Sequence, residues 1–208
     1  VVDGTIESAG ALATQAQRDA ATAYADLEAQ RCNLRLTGQD LGGQTLTPGV
    51  YCFPGGPAKL TGELVLDAQG DPDAVFIFQV GTTLTTANNS AVRVINGGQE
   101  PGESTQAADA RDRRRATLCN VYWLVGDSAA LGKESTFIGS IIALAGISVH
   151  TQASVYGRAL ARTGQVTLDS SAVELPRCFV PIAYLPAGVL GAIGAAIGIT
   201  TWPLFWLA

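Results

Sequence analysis

The sequence contains no methionine and a single histidine. Val1 is therefore no initiator residue, and the chain is expected to be a processed product or a fragment. His150, the one histidine, has no acid or nucleophile near it in sequence and is read as a surface residue. None of the four cysteines forms a CxxC pair, so zinc-type spacing is absent. Charged residues make up only 15% of the chain and the net charge is −5, which argues against a nucleic-acid-binding surface. The glycines fall in turns and form no phosphate-binding loop. No repeated set of Asp, Lys and Arg stands ready to cleave a polysaccharide. These absences point away from an enzyme, from a cofactor and from a bound metal.

What the chain has is repetition. It carries 24 glycines, and its many Thr, Val, Ala and Leu residues favour β structure with frequent turns. Ala74–Val94 reads AVFIFQVGTTLTTANNSAVRV, and Cys119–Gly139 reads CNVYWLVGDSAALGKESTFIG. The two align without a gap, placing Phe76 on Val121, Phe78 on Trp123, Gly81 on Gly126, Ala87 on Gly132 and Val92 on Phe137. A shorter period follows: Ser135–Gly139 returns 18 residues later as Ala153–Gly157, and again, more worn, as Ser171–Leu175. Repeats of this size, made of short strands and turns, mark a solenoid. One coil cannot bury its own apolar side, whereas stacked coils share a continuous core.

Along the chain, Val1–Glu7 is short and strand-like. Ser8 reads as a helix N-cap, and a helix is expected over about 9–30. Leu12, Ala16, Ala20, Ala23, Tyr24 and Leu27 form one thin apolar stripe, suited to lying against a flat β surface. Leu34–Phe53 holds short alternating strands broken by Gly42-Gly43 and Pro48-Gly49. Leu60–Asp67 reads as one strand, and Ala68–Asp73 as a turn. Ala74–Val80 is apolar on both faces, so burial on both sides is expected, inside the solenoid and under the helix. A polar stretch at about 97–117, with Arg111, Arg113, Arg114 and Arg115 interleaved with Asp109 and Asp112, interrupts the repeat as a solvated loop.

Four widely spaced cysteines suit two disulfides in an exported protein, although three pairings are possible and four buried thiols are the alternative. Cys32 with Cys52 closes the shortest loop, which leaves Cys119 with Cys178. Residues 1–178 thus form a solenoid domain and 179–208 a separate tail. The tail, Phe179–Ala208, has 30 residues and no charge. From Ala187 onward it is long enough to cross a bilayer as a helix. Gly188, Gly191, Gly194 and Gly198 favour close helix packing, and Trp202 and Trp206 suit an interface. Pro203 and the lack of a following Lys or Arg leave a second reading, in which the tail packs against identical subunits.

The blocks LTGQDLGGQTLTPGVYCF, LTGELVLDAQGDPDAVFIFQVGTTLTTANNSAVRVING, CNVYWLVGDSAALG, TFIGSIIAL and SVYGRALARTGQVTLD resemble the DUF3494 family of microbial ice-binding (antifreeze) proteins, from about Gly4 to Leu175. The resemblance implies a mainly β fold: a parallel β-helix of triangular cross-section with one long α-helix alongside. It also implies a secreted or surface-attached, non-catalytic protein whose partner is ice. Such a protein needs a flat face of Thr, Ser, Ala and Asn. The local candidates are Thr83, Thr85, Thr86, Asn88 and Asn89, with Thr151 and Ser154 on later coils. Only Thr86-Ala87-Asn88-Asn89 fits the family's Thr-Ala/Gly-x-Thr/Asn pattern; Lys133, Glu134 and Arg158 interrupt other candidate positions. Family members also carry a longer stretch ahead of the helix, so a strand edge is expected to be open here, fillable by a neighbour's strand. The alternative function is a structural one, as subunit of an extracellular fibre or adhesin.

Overall fold

The computed structural model describes residues 10–97 and 119–174. One helix, α1 (Ala11–Glu28), belongs to one compact unit, and the strands belong to another, residues 31–179. The helix is alanine-rich, as expected, but its N-cap is Gly10 rather than Ser8, which lies outside the described residues. No side chain caps this end; the Thr14 hydroxyl instead donates back to the Gly10 carbonyl at 3.0 Å. Tyr24 is buried, while Leu12, expected on the apolar stripe, is 63% exposed, and its neighbour Ala13 is half-buried.

The strands wind through six coils, three sides to a coil. The first holds β1 (Leu34–Arg35), a lone bridge at Asp40 and β2 (Thr45–Leu46). The second holds β3 (Gly49–Phe53), β4 (Ala58–Leu60) and β5 (Glu63–Asp67). The third holds β6 (Phe76–Val80), β7 (Leu84–Thr86) and β8 (Ala91–Ile95). The fourth to sixth hold β9 (Val121–Val125), β10 (Ala129–Leu131), β11 (Thr136–Ile138); β12 (Ser140–Ala143), β13 (Ile147–Val149), β14 (Ser154–Tyr156); and β15 (Ala159–Ala161), β16 (Val166–Leu168), β17 (Ala172–Glu174). Every pairing is parallel, and each side stacks in chain order. The result is three parallel sheets around one core. The repeat sets the register: Phe76 pairs with Val121 and Phe78 with Trp123 across one side, and Thr136 pairs with both Ala91 and Ser154 on another.

The stretch Leu60–Asp67, read as one strand, is two. Gly62, at φ 89°, turns the corner between β4 and β5. That backbone region is open to glycine at no steric cost. At the same corner the later coils use Asn89, Glu134, Gln152 and Ser170, all at positive φ between 47° and 60°. These four lie one coil apart, so the corner is a vertical ladder of left-handed residues. The backbones approach closely elsewhere too. A Cβ on Gly126 would lie 2.4 Å from the Gly81 carbonyl oxygen.

The core is continuous from coil to coil. Tyr51, Phe78, Trp123 and Phe137 form an aromatic file, with Phe78 and Trp123 stacked 3.8 Å apart at 7°. The Trp123 indole N–H donates to the Ile138 carbonyl at 3.0 Å, which satisfies its one polar group in the interior. Both faces of β6 are buried: Phe76 and Phe78 fully, and outward-facing Ile77 nearly so. In the sixth coil the inward positions open to solvent, with Val166 38% and Leu168 51% exposed where Ile147 and Val149 are buried. Cys32 and Cys52 are disulfide-bonded, as the shortest-loop reading requires. Cys119 is disulfide-bonded as well; Cys178, the polar loop at 98–118 and the apolar tail lie outside the described residues.

Candidate functional site

The three sides differ in what they show to water. On the side built from β1, β3, β6, β9, β12 and β15, the outward residues Ile77, Leu124 and Ile142 are 6%, 2% and 3% exposed. Those outward residues are apolar and buried. The side built from β2, β5, β8, β11, β14 and β17 is exposed but charged. Arg93 and Glu63 form an ion pair there at 3.0 Å, and Asp67 accepts a hydrogen bond from Asn96 at 2.8 Å. The third side, β4, β7, β10, β13 and β16, is both exposed and largely uncharged.

Its strands are three residues long; β4, β7, β10 and β13 show a buried–open–buried pattern with the middle residue outward, and the pairing of β16 with β13 carries that register into the sixth coil, where all three residues are exposed. The strand register puts these residues in one straight row: Lys59, Thr85, Ala130, Ser148 and Thr167, with Asp40 bridging to Lys59 at the first coil. Parallel strands set the rungs about 4.8 Å apart. A second column runs Thr83, Ser128, Gly146 and Gln165, whose carbonyls accept the ladder N–H groups of neighbouring coils. A third runs Ala87, Gly132, His150 and Asp169. Hydroxyls on this face are held in place. Thr167 donates to the Ser148 hydroxyl at 3.2 Å, and Thr151, at the edge, donates to Asp169 at 2.6 Å.

The residues expected to meet ice from the sequence are scattered by this geometry. Thr85 is exposed in the middle row and Thr83 half-buried in the column beside it. Thr86 faces inward and is 4% exposed, so it is withdrawn from any surface. Its Oγ1 accepts the N–H of Gly132 at 2.9 Å. Asn88 and Asn89 sit on the corner after β7, where the Asn88 side chain accepts the Lys133 N–H at 3.0 Å. Thr151 is on the corner after β13, and Ser154 is on the charged side, in β14. Lys133 and Glu134 also lie on the corner, off the flat face, so they do not interrupt it. Arg158 is half-buried beside Tyr122; burial holds its guanidinium below its ordinary pKa.

Ser128, Ala130, Ser148 and Thr167 share this face without being among the residues expected from the sequence. The repeat already carried them, because the alignment that sets Ala87 on Gly132 also sets Thr85 on Ala130, and the 18-residue period then reaches Ser148.

Comparison with known proteins agrees with this architecture. The family model described as Ice-binding-like matches residues 1–102 and 114–174. The chain belongs to this ice-binding-like family. An ice-binding protein of Nostoc sp. (strain HG1) is 46% identical over 175 residues, 84% of this chain and 58% of that protein. The chain therefore spans a little over half the length of that relative. Among solved structures, the DUF3494 domain of Shewanella frigidimarina ice-binding protein 1 superimposes with a TM-score of 0.67 at 33% identity, covering 85% of this chain and 68% of that one. An ice-binding protein from the Antarctic ascomycete Antarctomyces psychrotrophicus gives 0.66 at 36% identity, covering 78% and 70%. The parallel β-helix with one helix is thus the shared fold of the ice-binding-like family, and the resemblance read from the sequence blocks is correct.

Proposed function

We propose that this chain binds ice, without catalysis, through the outward face of β4, β7, β10, β13 and β16. The observation that carries this reading is the row Thr85–Ala130–Ser148–Thr167: it is uncharged and in register, with Thr85 and Thr167 exposed and Ala130 and Ser148 half-buried, on a side that carries neither the buried outward residues of the first side nor the Arg93–Glu63 ion pair of the second. Small side chains keep the face flat. Methyl groups and backbone shed water that gains by leaving them, while hydroxyls keep waters in bridging hydrogen bonds. A rigid ladder with even rungs lets those waters take up a regular spacing before they join the crystal.

The disulfide-bonded cysteines fit a secreted or surface-exposed protein, since such bonds persist in oxidising compartments. The relatives named above are all ice-binding proteins, which favours this reading over a fibre or adhesin subunit. Attachment to a membrane, or to identical subunits, through Ala187, Gly191, Gly194, Gly198, Trp202 and Trp206 concerns residues outside the described ones. Among the described residues no helix is long and apolar enough to cross a membrane.

The test is thermal hysteresis and recrystallisation inhibition by the purified chain. Ser148→Tyr and Thr85→Tyr, which raise a bulky ring from the flat row, are expected to remove most of the activity. Glu63→Tyr, on the charged side, is expected to leave it. A wild-type protein with no effect on ice overturns the proposal; an effect lost in Glu63→Tyr but kept in both row variants moves the site to another side.

A further inference from the structure

The middle row changes character along its length. In the first two coils it holds Asp40 and Lys59, bridged to each other as neighbouring rungs. In the last four it holds Thr85, Ala130, Ser148 and Thr167. Both charged residues are exposed. The two are not equivalent in what they do for the fold. The Asp40 carboxylate accepts the N–H groups of Gly42 and Thr61, each at 2.8 Å, and so ties the first coil to the second. No hydrogen bond or ion pair to the Lys59 side chain is present among the described contacts, and Lys59 belongs to β4 only through its backbone.

We propose that Lys59 ends the ice-contacting face. It limits how many coils can engage ice, and its charge serves the fold only as the last and least of the influences that hold the Asp40 carboxyl below its ordinary pKa. This inference rests on the reading of that side as the ice face. Its physical basis is hydration. An ammonium is a compact, strongly hydrated point charge on a flexible stem. Waters ordered around it point their oxygens inward, which is incompatible with the tetrahedral order of a crystal laid across the same rung. The usable row then runs from Thr85 to Thr167, three intervals, or about 14 Å at about 4.8 Å per rung. Replacing Lys59 by a threonine adds a fourth interval and lengthens the row to about 19 Å, a gain of about one third. The rung above it is closed by Asp40, whose removal would also untie two coils, so Lys59 is the position at this end from which the face can be extended while those ties are kept.

The experiment compares wild type, Lys59→Thr, Lys59→Ser, Lys59→Arg and Ser148→Lys for thermal hysteresis at equal molar concentration, with urea unfolding to confirm equal stability. Lys59→Thr and Lys59→Ser are expected to raise hysteresis by roughly one third or more, following the longer row. Lys59→Arg keeps the charge and is expected to match wild type. Ser148→Lys places a charge mid-row and is expected to lose most of the activity. An active wild type whose Lys59→Thr and Lys59→Ser variants show no gain overturns the inference while leaving the proposed face standing. An active wild type unaffected by Ser148→Lys overturns the proposed face itself. A gain in Lys59→Arg equal to that in Lys59→Thr also overturns the inference, since charge would then not be the cause.

Discussion

Thr86 separates two ways of reading a threonine in this repeat, and its substitution by valine tests them. Along the β7 side, each residue just past the strand donates its N–H to a carbonyl of the coil before: Ala87 to Leu60, His150 to Leu131 and Asp169 to Val149. The exception is Gly132, whose N–H goes to the Oγ1 of Thr86 rather than to a carbonyl. At this rung the regular ladder gives way, and pairing between β7 and β10 stops at Thr85 with Ala130. The hydroxyl of Thr86 mends the gap. Thr86→Val keeps the branched shape and deletes that acceptor inside a buried corner. An unsatisfied buried N–H costs about 1–3 kcal/mol. The added methyl returns up to about 0.8 kcal/mol of burial. The expected net loss is about 1–2 kcal/mol, or a fall of about 3–6 °C in melting midpoint for a domain of this size.

Two companions sharpen the test. Thr86→Ser keeps the acceptor and drops one methyl, costing about 1 kcal/mol. Thr85→Val, one residue away but exposed, is expected to stay within about 0.5 kcal/mol of wild type. Urea unfolding gives the energies, and amide exchange at Gly132 gives the local readout: it should quicken in Thr86→Val and not in Thr86→Ser. If Thr86→Val unfolds with wild type while Thr86→Ser is the weaker protein, volume governs the site and the hydrogen-bond argument fails.

The remaining predictions concern the core, the staple and pH. Trp123→Ala, which empties the centre of the aromatic file and orphans the Ile138 carbonyl, is expected to cost about 3–5 kcal/mol in urea unfolding; a loss below about 1 kcal/mol would show that the file does not carry the core. Replacing Cys32 and Cys52 by serine, which opens a 20-residue separation, is expected to remove about 3 kcal/mol and leave the outward row of β7, β10, β13 and β16 intact. Unchanged stability would place the constraint elsewhere. Asp40 titrates below its ordinary 3.8: partial burial pushes its carboxyl up, but the N–H groups of Gly42 and Thr61 and the Lys59 charge outweigh that. A depressed folded value means its stabilisation is present above the unfolded pKa and is lost as pH falls through the folded one. Unfolding free energies measured downward from pH 5 should therefore decline less steeply in Asp40→Ala than in wild type, and parallel curves would remove Asp40 from the account.

How far the sequence reveals the face depends on which property is asked for. The core is legible because packing preserves it: Phe78 returns as Trp123 and Val92 as Phe137, each buried. The corners are half legible. Gly62 announces its turn by composition, but Asn89, Glu134, Gln152 and Ser170 share one backbone conformation with four different side chains, so only the spacing betrays them. The outward row is the hardest to read, because Lys59, Thr85, Ala130, Ser148 and Thr167 have no residue type in common. What they share is a position, fixed by the pairing of the buried residues on either side. Choosing threonines by type gathers Thr86 from the interior, Thr151 from a corner and Ser154 from the side of β5 and β8, three places that share no face. Choosing by register, starting from the inward pair Leu84 with Ala129, recovers the row. In a solenoid the outward surface is thus encoded through the residues that do the packing. A change at an inward position that slips the register by one would turn the outward row into a buried one without altering any residue of that row.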